Sequence, residues 1–267
     1  MTTWQKVVKY VAIAFAIFLI VTILGGILKL LGLISFVSEV DGTTEELTGY
    51  TFSADIDELE IEIAAAEFTV STGEEFAVES NLKNLTVKED GNRLVIKERK
   101  HATINYNGKA ILNIIIPEDT VFEEVYITTG AGKVTMDNIS AENLHMELGA
   151  GLVNIGELNA YSESSIEGGA GSVNIESGCL NDLDMDMGVG EVVLKSELTG
   201  ECEINQGIGA ANLTLLGDKY DYCIEVEKGI GSIKVDGLSM SNNEVFGTGS
   251  NEIEIHGGIG EIEIVFE

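Results

Sequence analysis

Basic residues are scarce in this chain. Fifteen lysines and arginines face 45 aspartates and glutamates in 267 residues, a net charge of −30. Nucleic acid is excluded as a partner, because neutralising phosphates takes clustered Lys and Arg. Only three cysteines occur, Cys179, Cys202 and Cys223, without C-x-x-C spacing, so neither a zinc site nor a disulfide framework is expected. Cys202 falls at an inward position and Cys223 at an outward one, so the two should not bridge. The three histidines, His101, His145 and His256, are scattered and read as solvated surface residues. No G-x-S-x-G elbow, GK[ST] loop or Ser, His and Asp set is present, which points away from an enzyme. No cofactor is expected beyond weakly bound Ca²⁺.

Charge is missing from one long segment. Residues 7–28 form a 22-residue run, uncharged apart from Lys9 and long enough to cross the roughly 30 Å hydrocarbon core as one helix. Lys6 and Lys9 precede its centre, and Glu39, Asp41, Glu45 and Glu46 follow it. That bias predicts a single-pass anchor in the cell membrane, with a cytoplasmic N-terminus and an extracytoplasmic C-terminal domain. Residues 1–37 are therefore expected to be stub and transmembrane helix, with the lipid bilayer met through 7–28. Residues 38–54 read as a polar tether.

Glycine is abundant and periodic. Triplets recur every nineteen or so residues from Gly130: Gly130-Ala131-Gly132, Gly149-Ala150-Gly151, Gly169-Ala170-Gly171, Gly188-Val189-Gly190, Gly207-Ile208-Gly209, Gly229-Ile230-Gly231 and Gly258-Ile259-Gly260. Four and six residues after each first glycine the side chain is apolar, as at Val153 and Ile155 or Val173 and Ile175. Five and three residues before it a second alternation runs, as at Leu183 and Met185, and only Ser164 departs from it. A period of two within a period of about twenty is that of stacked β-coils. The fold expected is therefore all-β, a β-solenoid with coils of 19–20 residues. Regular coils should fill 130–267 and irregular ones 55–129, where Ala64-Ala65-Ala66 replaces the first glycine triplet. Each coil should hold two strands, joined by the glycine corner and by a turn. Register stacking leaves little room for Cβ atoms at such a corner, and the residue between the glycines should point inward. Within the irregular part, Asp90-Gly91 marks a hairpin and a strand over 111–116 should stop at Pro117. The excess over 240–250 reads as an excursion loop able to carry specificity.

The motifs GAGKVTM, GAGLVNI, GAGSVNI and GVGEVVL, with the preceding ILNIIIPEDTVFEEVYITTGAG and the N-terminal apolar segment, resemble the putative-adhesin family of bacterial β-strand-repeat proteins, a domain of unknown function. The likeness covers roughly residues 50–267. It implies the solenoid fold and a place at the cell envelope, in some members beside envelope-stress signalling systems. It supplies no catalytic residues.

Reading outward positions across coils lines up carboxylates. Glu163, Asp182, Glu201 and Glu252 form one row. Asp184, Glu203, Glu225 and Glu254 form a second, and Glu147, Glu167, Asp186 and Glu227 a third. At the roughly 5 Å spacing of stacked strands, an exposed pair of like charges repels by about 0.8 kcal/mol even in water. Such a face invites cations. Glu163, Asp182, Asp184, Glu201 and Glu203 are the expected divalent-ion patch, and Glu167, Asp186, Glu225, Glu227 and Glu254 the expected contacts for a cationic peptide or envelope protein. The bland alternative is that the charges only keep surfaces apart. The function expected is a membrane-anchored, extracytoplasmic binding protein. A self-associating scaffold, stacking through the C-terminal strand 262–266 as an open edge, is the alternative.

Overall fold

The computed structural model describes residues 43–52, 56–99 and 109–267. The expected anchor at 7–28 and most of the tether lie outside them, as does His101. Among the described residues no helix is long and apolar enough to cross a membrane.

The described chain is all-β. Strands β1 (Thr43–Thr51), β2 (Glu58–Gly73), β3 (Ala77–Leu82), β4 (Leu85–Asp90), β5 (Arg93–Glu98) and β6 (Ile111–Pro117) make up the irregular part. The regular part comprises β7 (Phe122–Ile175), β8 (Gly178–Asn181), β9 (Leu183–Thr199), β10 (Glu201–Leu215), β11 (Tyr222–Val235), β12 (Leu238–Ser239), β13 (Glu244–Gly247) and β14 (Asn251–Phe266). At 54 residues, β7 covers nearly three coils, because the chain stays extended through its corners. The one helical element described is a single 3₁₀ turn at Lys219–Asp221.

Coils pair in parallel, residue on equivalent residue. Ile204 lies beside Met185, Gly209 beside Gly190 and Leu213 beside Leu194. The inward rows are buried as the alternation requires: Val153, Ile155, Val173, Ile175, Val192, Leu194, Ile262 and Ile264 are all at most 6 % exposed. Each such side chain contributes about 1.5–3 kcal/mol of burial before entropy is subtracted. Ser164 is buried too, and its hydroxyl donates to the Asn181 carbonyl (3.0 Å). Larger rings add to this aliphatic core, with Phe76 against Phe122 and Phe246 stacked on Phe266. The hairpin at Asp90-Gly91 forms as expected between β4 and β5, and β6 ends at Pro117.

The glycine corners superimpose. A Cβ on Gly151, Gly171, Gly190 or Gly209 would fall on the backbone carbonyl of the glycine one coil earlier, and all four adopt positive φ, between 141° and 155°. The first corner escapes this demand. Pairing of β2 with β5 ends at Glu62 and pairing with β6 begins at Glu67, so on the side away from β7 no paired strand faces Ala64–66. There the Ala64 N–H donates instead to the buried Glu98 carboxylate (2.8 Å).

Four expectations need correction. First, the coils have a third side: β8 pairs with 158–160 and with 197–199, and Leu158, Ala160, Leu180 and Leu198 are buried where a plain turn was expected. Second, the residue between the glycines does not turn inward. Val189, Ile208 and Ile259 are half-buried and Ile230 is 71 % exposed, because the inside of the corner is already filled by the rows on either side.

Third, the C-terminal strand is not an edge. β14 is inserted between β10 and β11, pairing in parallel with both. The linker through Gly217 and the 3₁₀ turn steps the chain past one coil position, and the last strand returns to fill it, with the Glu267 N–H and carbonyl bonded to Leu215 and Gly217. Fourth, the excursion is chiefly a cap. β13 pairs antiparallel with Cys223–Val226 and β12 with Lys234–Val235, covering both ends of the outer edge of β11. Covered edges do not template further strands, so end-to-end stacking through residues 262–266 is removed.

Candidate functional site

The strand before each glycine corner presents three outward columns, and the pairing fixes their order. Six residues before the corner the column runs Arg93, Glu58, Glu124, then Asp182, Glu201, Glu252 and Cys223. Four before, it runs Glu60, Tyr126, then Asp184, Glu203, Glu254 and Glu225. Two before, it runs Lys97, Glu62, Thr128, then Glu167, Asp186, Asn205, His256 and Glu227. The third column contains Glu147 as well, 3.5 Å from the Thr128 hydroxyl.

Charge along this face is compensated at one end only. Arg93 pairs with Glu58, lies 3.5 Å from Glu124 and 3.8 Å from Glu60, and Lys97 reaches Glu60 at 2.5 Å. Over β9, β10, β14 and β11 no lysine or arginine ion pair with these columns occurs among the described residues. Crowding registers at Asp184: burial pushes its carboxyl above the usual aspartate range, and Asp186, Glu203 and Glu167 push it further.

His256 is the one group of opposite tendency there. Inserting β14 sets its Nδ1 2.9 Å from Glu227 and its Nε2 3.6 Å from Glu203 and 3.7 Å from Glu254. It was expected to be a solitary solvated residue, and it joins three coils instead. His145 lies against Tyr126 and 3.4 Å from Glu147.

The expected ion patch is laid out in rows. Among the described residues no group of three or more His, Cys, Asp or Glu is gathered closely enough to hold a metal ion. Glu163, Asp182, Asp184, Glu201 and Glu203 share the face across three neighbouring coils. The Asp182 carboxylate is already engaged, accepting from the Glu201 N–H (2.9 Å) at a residue with φ of 45°. Of the expected partner contacts, Glu167, Asp186 and Glu227 stand in one column and Glu225 and Glu254 in the next.

Beside the third column runs a groove of about 980 Å³, following the solenoid axis from Thr128 to Gly258. One wall is Glu147, Glu167, Asp186, Asn205, His256 and Glu227. Its floor is the column just before the glycines, namely Thr129, Leu148, Gly168, Met187, Gln206, Gly257 and Lys228, together with the glycines themselves. The floor is low because the stacked corners exclude Cβ atoms, so the packing rule that closes the coil also opens the groove. Asn242, from the excursion, lines the far end and accepts from the Lys228 N–H (2.8 Å).

Two floor residues stand out. Gln206 is 4 % exposed, its Nε2 donates to the Gly190 carbonyl (3.4 Å), and its Oε1 has no hydrogen-bond partner. Lys228 is half-buried and makes no ion pair among the described residues. Sequence reading missed both, although each breaks a largely apolar or glycine column and was findable as such. The three cysteines are free. Cys202 is buried, and burial pushes its thiol up to about 11, consistent with a core role.

Solved structures are similar to the chain at low identity. A "putative cell adhesion protein" from Clostridium sporogenes is 18 % identical with a TM-score of 0.40, over 83 % of this chain and 99 % of that one. A "putative adhesin" from Bacteroides fragilis is 11 % identical with a TM-score of 0.36, over 84 % and 100 % of the two chains. Another from Parabacteroides merdae is 12 % identical with a TM-score of 0.35, over 83 % and 97 %. No curated protein matches significantly. The Toastrack DUF4097 family model matches twice in overlapping frames, at residues 56–209 and 113–264, as a repeated coil allows, and the chain belongs to that family.

Proposed function

We propose that this chain is a non-catalytic binding protein of the cell envelope, anchored by residues 7–28, whose acidic groove takes a cationic peptide or a basic segment of another protein. The observation that carries the reading is the groove itself: a continuous concave surface with carboxylates on one wall and almost no built-in cations along it. Groups arranged this way give charge complementarity and fast encounter with a basic ligand. A peptide suits the site better than a metal ion, because the carboxylates form columns several coils long instead of a closed coordination shell. The lysine bias around the apolar N-terminal run supports an outward-facing domain.

The test is binding of a lysine-rich peptide to the full-length chain. Affinity should fall as salt is raised from about 50 to about 200 mM, because screening shortens the reach of exposed charges. Asp186→Asn combined with Glu227→Gln should weaken binding by about tenfold, a loss of roughly 1.4 kcal/mol. Binding indifferent to both salt and substitution would remove the proposal.

A further inference from the structure

Along the regular part, coils stack in chain order except at the end. β14 lies between β10 and β11, two strands that precede it in the chain and do not pair with each other. It is bound on both sides, from Glu252 beside Glu201 to Phe266 beside Leu215, and from Asn251 beside Tyr222 to Ile264 beside Val235. Its Ile253, Ile255, Ile262 and Ile264 are buried there. The slot itself is built by residues that come before β14. In the connection leaving β10, the Leu216 N–H donates to the Ser196 carbonyl (3.0 Å), the Asp218 carboxylate accepts from the Tyr220 N–H (3.1 Å), and the hydroxyl of buried Tyr222 donates to the Leu216 carbonyl (2.5 Å). These contacts hold the step that sets β11 two coil spacings from β10, about 10 Å. Until a strand fills such a slot, it exposes two unpaired edges beside apolar side chains.

A short hinge decides which chain supplies that strand. β13 runs along the outer edge of β11 and β14 along its inner edge, so residues 248–250 carry the chain around Tyr222 from one side of β11 to the other. The passage is tight: the Gly249 N–H donates to the Tyr222 carbonyl (3.1 Å), and a Cβ on Gly249 would fall on the Asp221–Tyr222 peptide. Thr248 and Ser250, on either side of it, are exposed. A terminal strand behind a short, constrained hinge is suited to exchange between identical copies, because the exchanged strand remakes every contact except those of the hinge.

We infer that β14 is an exchangeable strand and that a second copy of this chain is a partner, each copy donating Asn251–Phe266 to the slot between β10 and β11 of the other. This differs from stacking through an open edge, since the donated strand enters the interior of the stack. It is independent of what the groove binds, yet it completes the groove: the strand that fills the slot brings His256 to Glu203 and Glu227.

The test uses the full-length chain in detergent micelles, with Cys179→Ser, Cys202→Ala and Cys223→Ser as the background. Glu203 and Glu254 are outward register neighbours on β10 and β14, at the spacing of about 5 Å that a disulfide can span. One preparation carries Glu203→Cys and the other Glu254→Cys, and the two are mixed in urea, refolded together and oxidised. Exchange yields a covalent heterodimer on a non-reducing gel, and its share should rise with chain concentration during refolding, as mass action requires. Glu167→Cys mixed with Asp186→Cys is the control, because those neighbours lie on β7 and β9 and stay within one chain. Gly249→Val in both preparations should raise the heterodimer about tenfold, since it obstructs the closed passage and leaves the exchanged one free. With the native hinge, a heterodimer no more abundant than the control would overturn the inference, because a dimer made without exchange keeps Glu254 beside the Glu203 of its own chain. A folded Gly249→Val chain that exchanges no more than the native hinge would overturn it too.

Discussion

Replacing Gly209 with alanine tests the stacking directly. Gly209 sits in the corner between Gly190 and Gly260, at φ 143°, and an added Cβ would fall on the Gly190 carbonyl. Holding a non-glycine residue in that conformation costs on the order of 1–3 kcal/mol. Relieving the overlap requires prising β10 away from β9, a packing penalty of about 1–3 kcal/mol more. The expected destabilisation is therefore about 4 kcal/mol. With a urea dependence of about 2–3 kcal/mol per molar, the unfolding midpoint read by far-UV circular dichroism should drop by about 1.5 M. Gly91→Ala is the control. Gly91 also has positive φ, 73°, but an added Cβ there meets nothing within 4 Å, so only the conformational cost of about 1 kcal/mol should appear. If Gly209→Ala unfolds no earlier than Gly91→Ala, the coils are not stacked carbonyl over glycine and the argument for the groove floor fails with them.

Gln206→Met should stabilise the free domain by about 1 kcal/mol, because it removes a buried acceptor without a donor and continues the column of Met187; an earlier denaturation midpoint would refute this. Asp184→Asn should stabilise the domain at neutral pH. The folded carboxyl titrates above its ordinary value, so the native state holds the extra proton in the window just above that value, and native stability is lost as pH rises through it. The gap between Asp184→Asn and the native chain should therefore close as pH falls below the ordinary aspartate value, and a gap that widens on acidification would contradict the assigned crowding.

Several features were legible before any coordinates. The inward rows followed from a period of two, and the glycines at a period near nineteen located the corners. The hairpin followed from Asp90-Gly91 and the end of β6 from Pro117. The carboxylate columns were legible as sets, since any register-stacked solenoid aligns them. Their order was not. β11 and β14 carry the same alternation, Ile224, Val226, Ile233 and Val235 against Ile253, Ile255, Ile262 and Ile264, so either satisfies the slot beside β10. Only the length and path of the connections decide it, and with it the position of His256 among Glu203, Glu227 and Glu254. The third side was missed because Leu158, Ala160, Leu180 and Leu198 are thinly spaced beside the stronger flanking alternations.

The amino-acid sequence by itself determined that this chain stacks coils, which side chains fill the interior and that one outward face is acidic, because these depend on local periodicity and on the steric demands of a repeated corner. The tertiary structure alone decided which coil lies beside which, that Arg93 and Lys97 neutralise one end of the face, and that a glycine-floored groove ends at Lys228. Those are relations between residues far apart in the chain, and side-chain alternation, identical in every coil, carries no information about them.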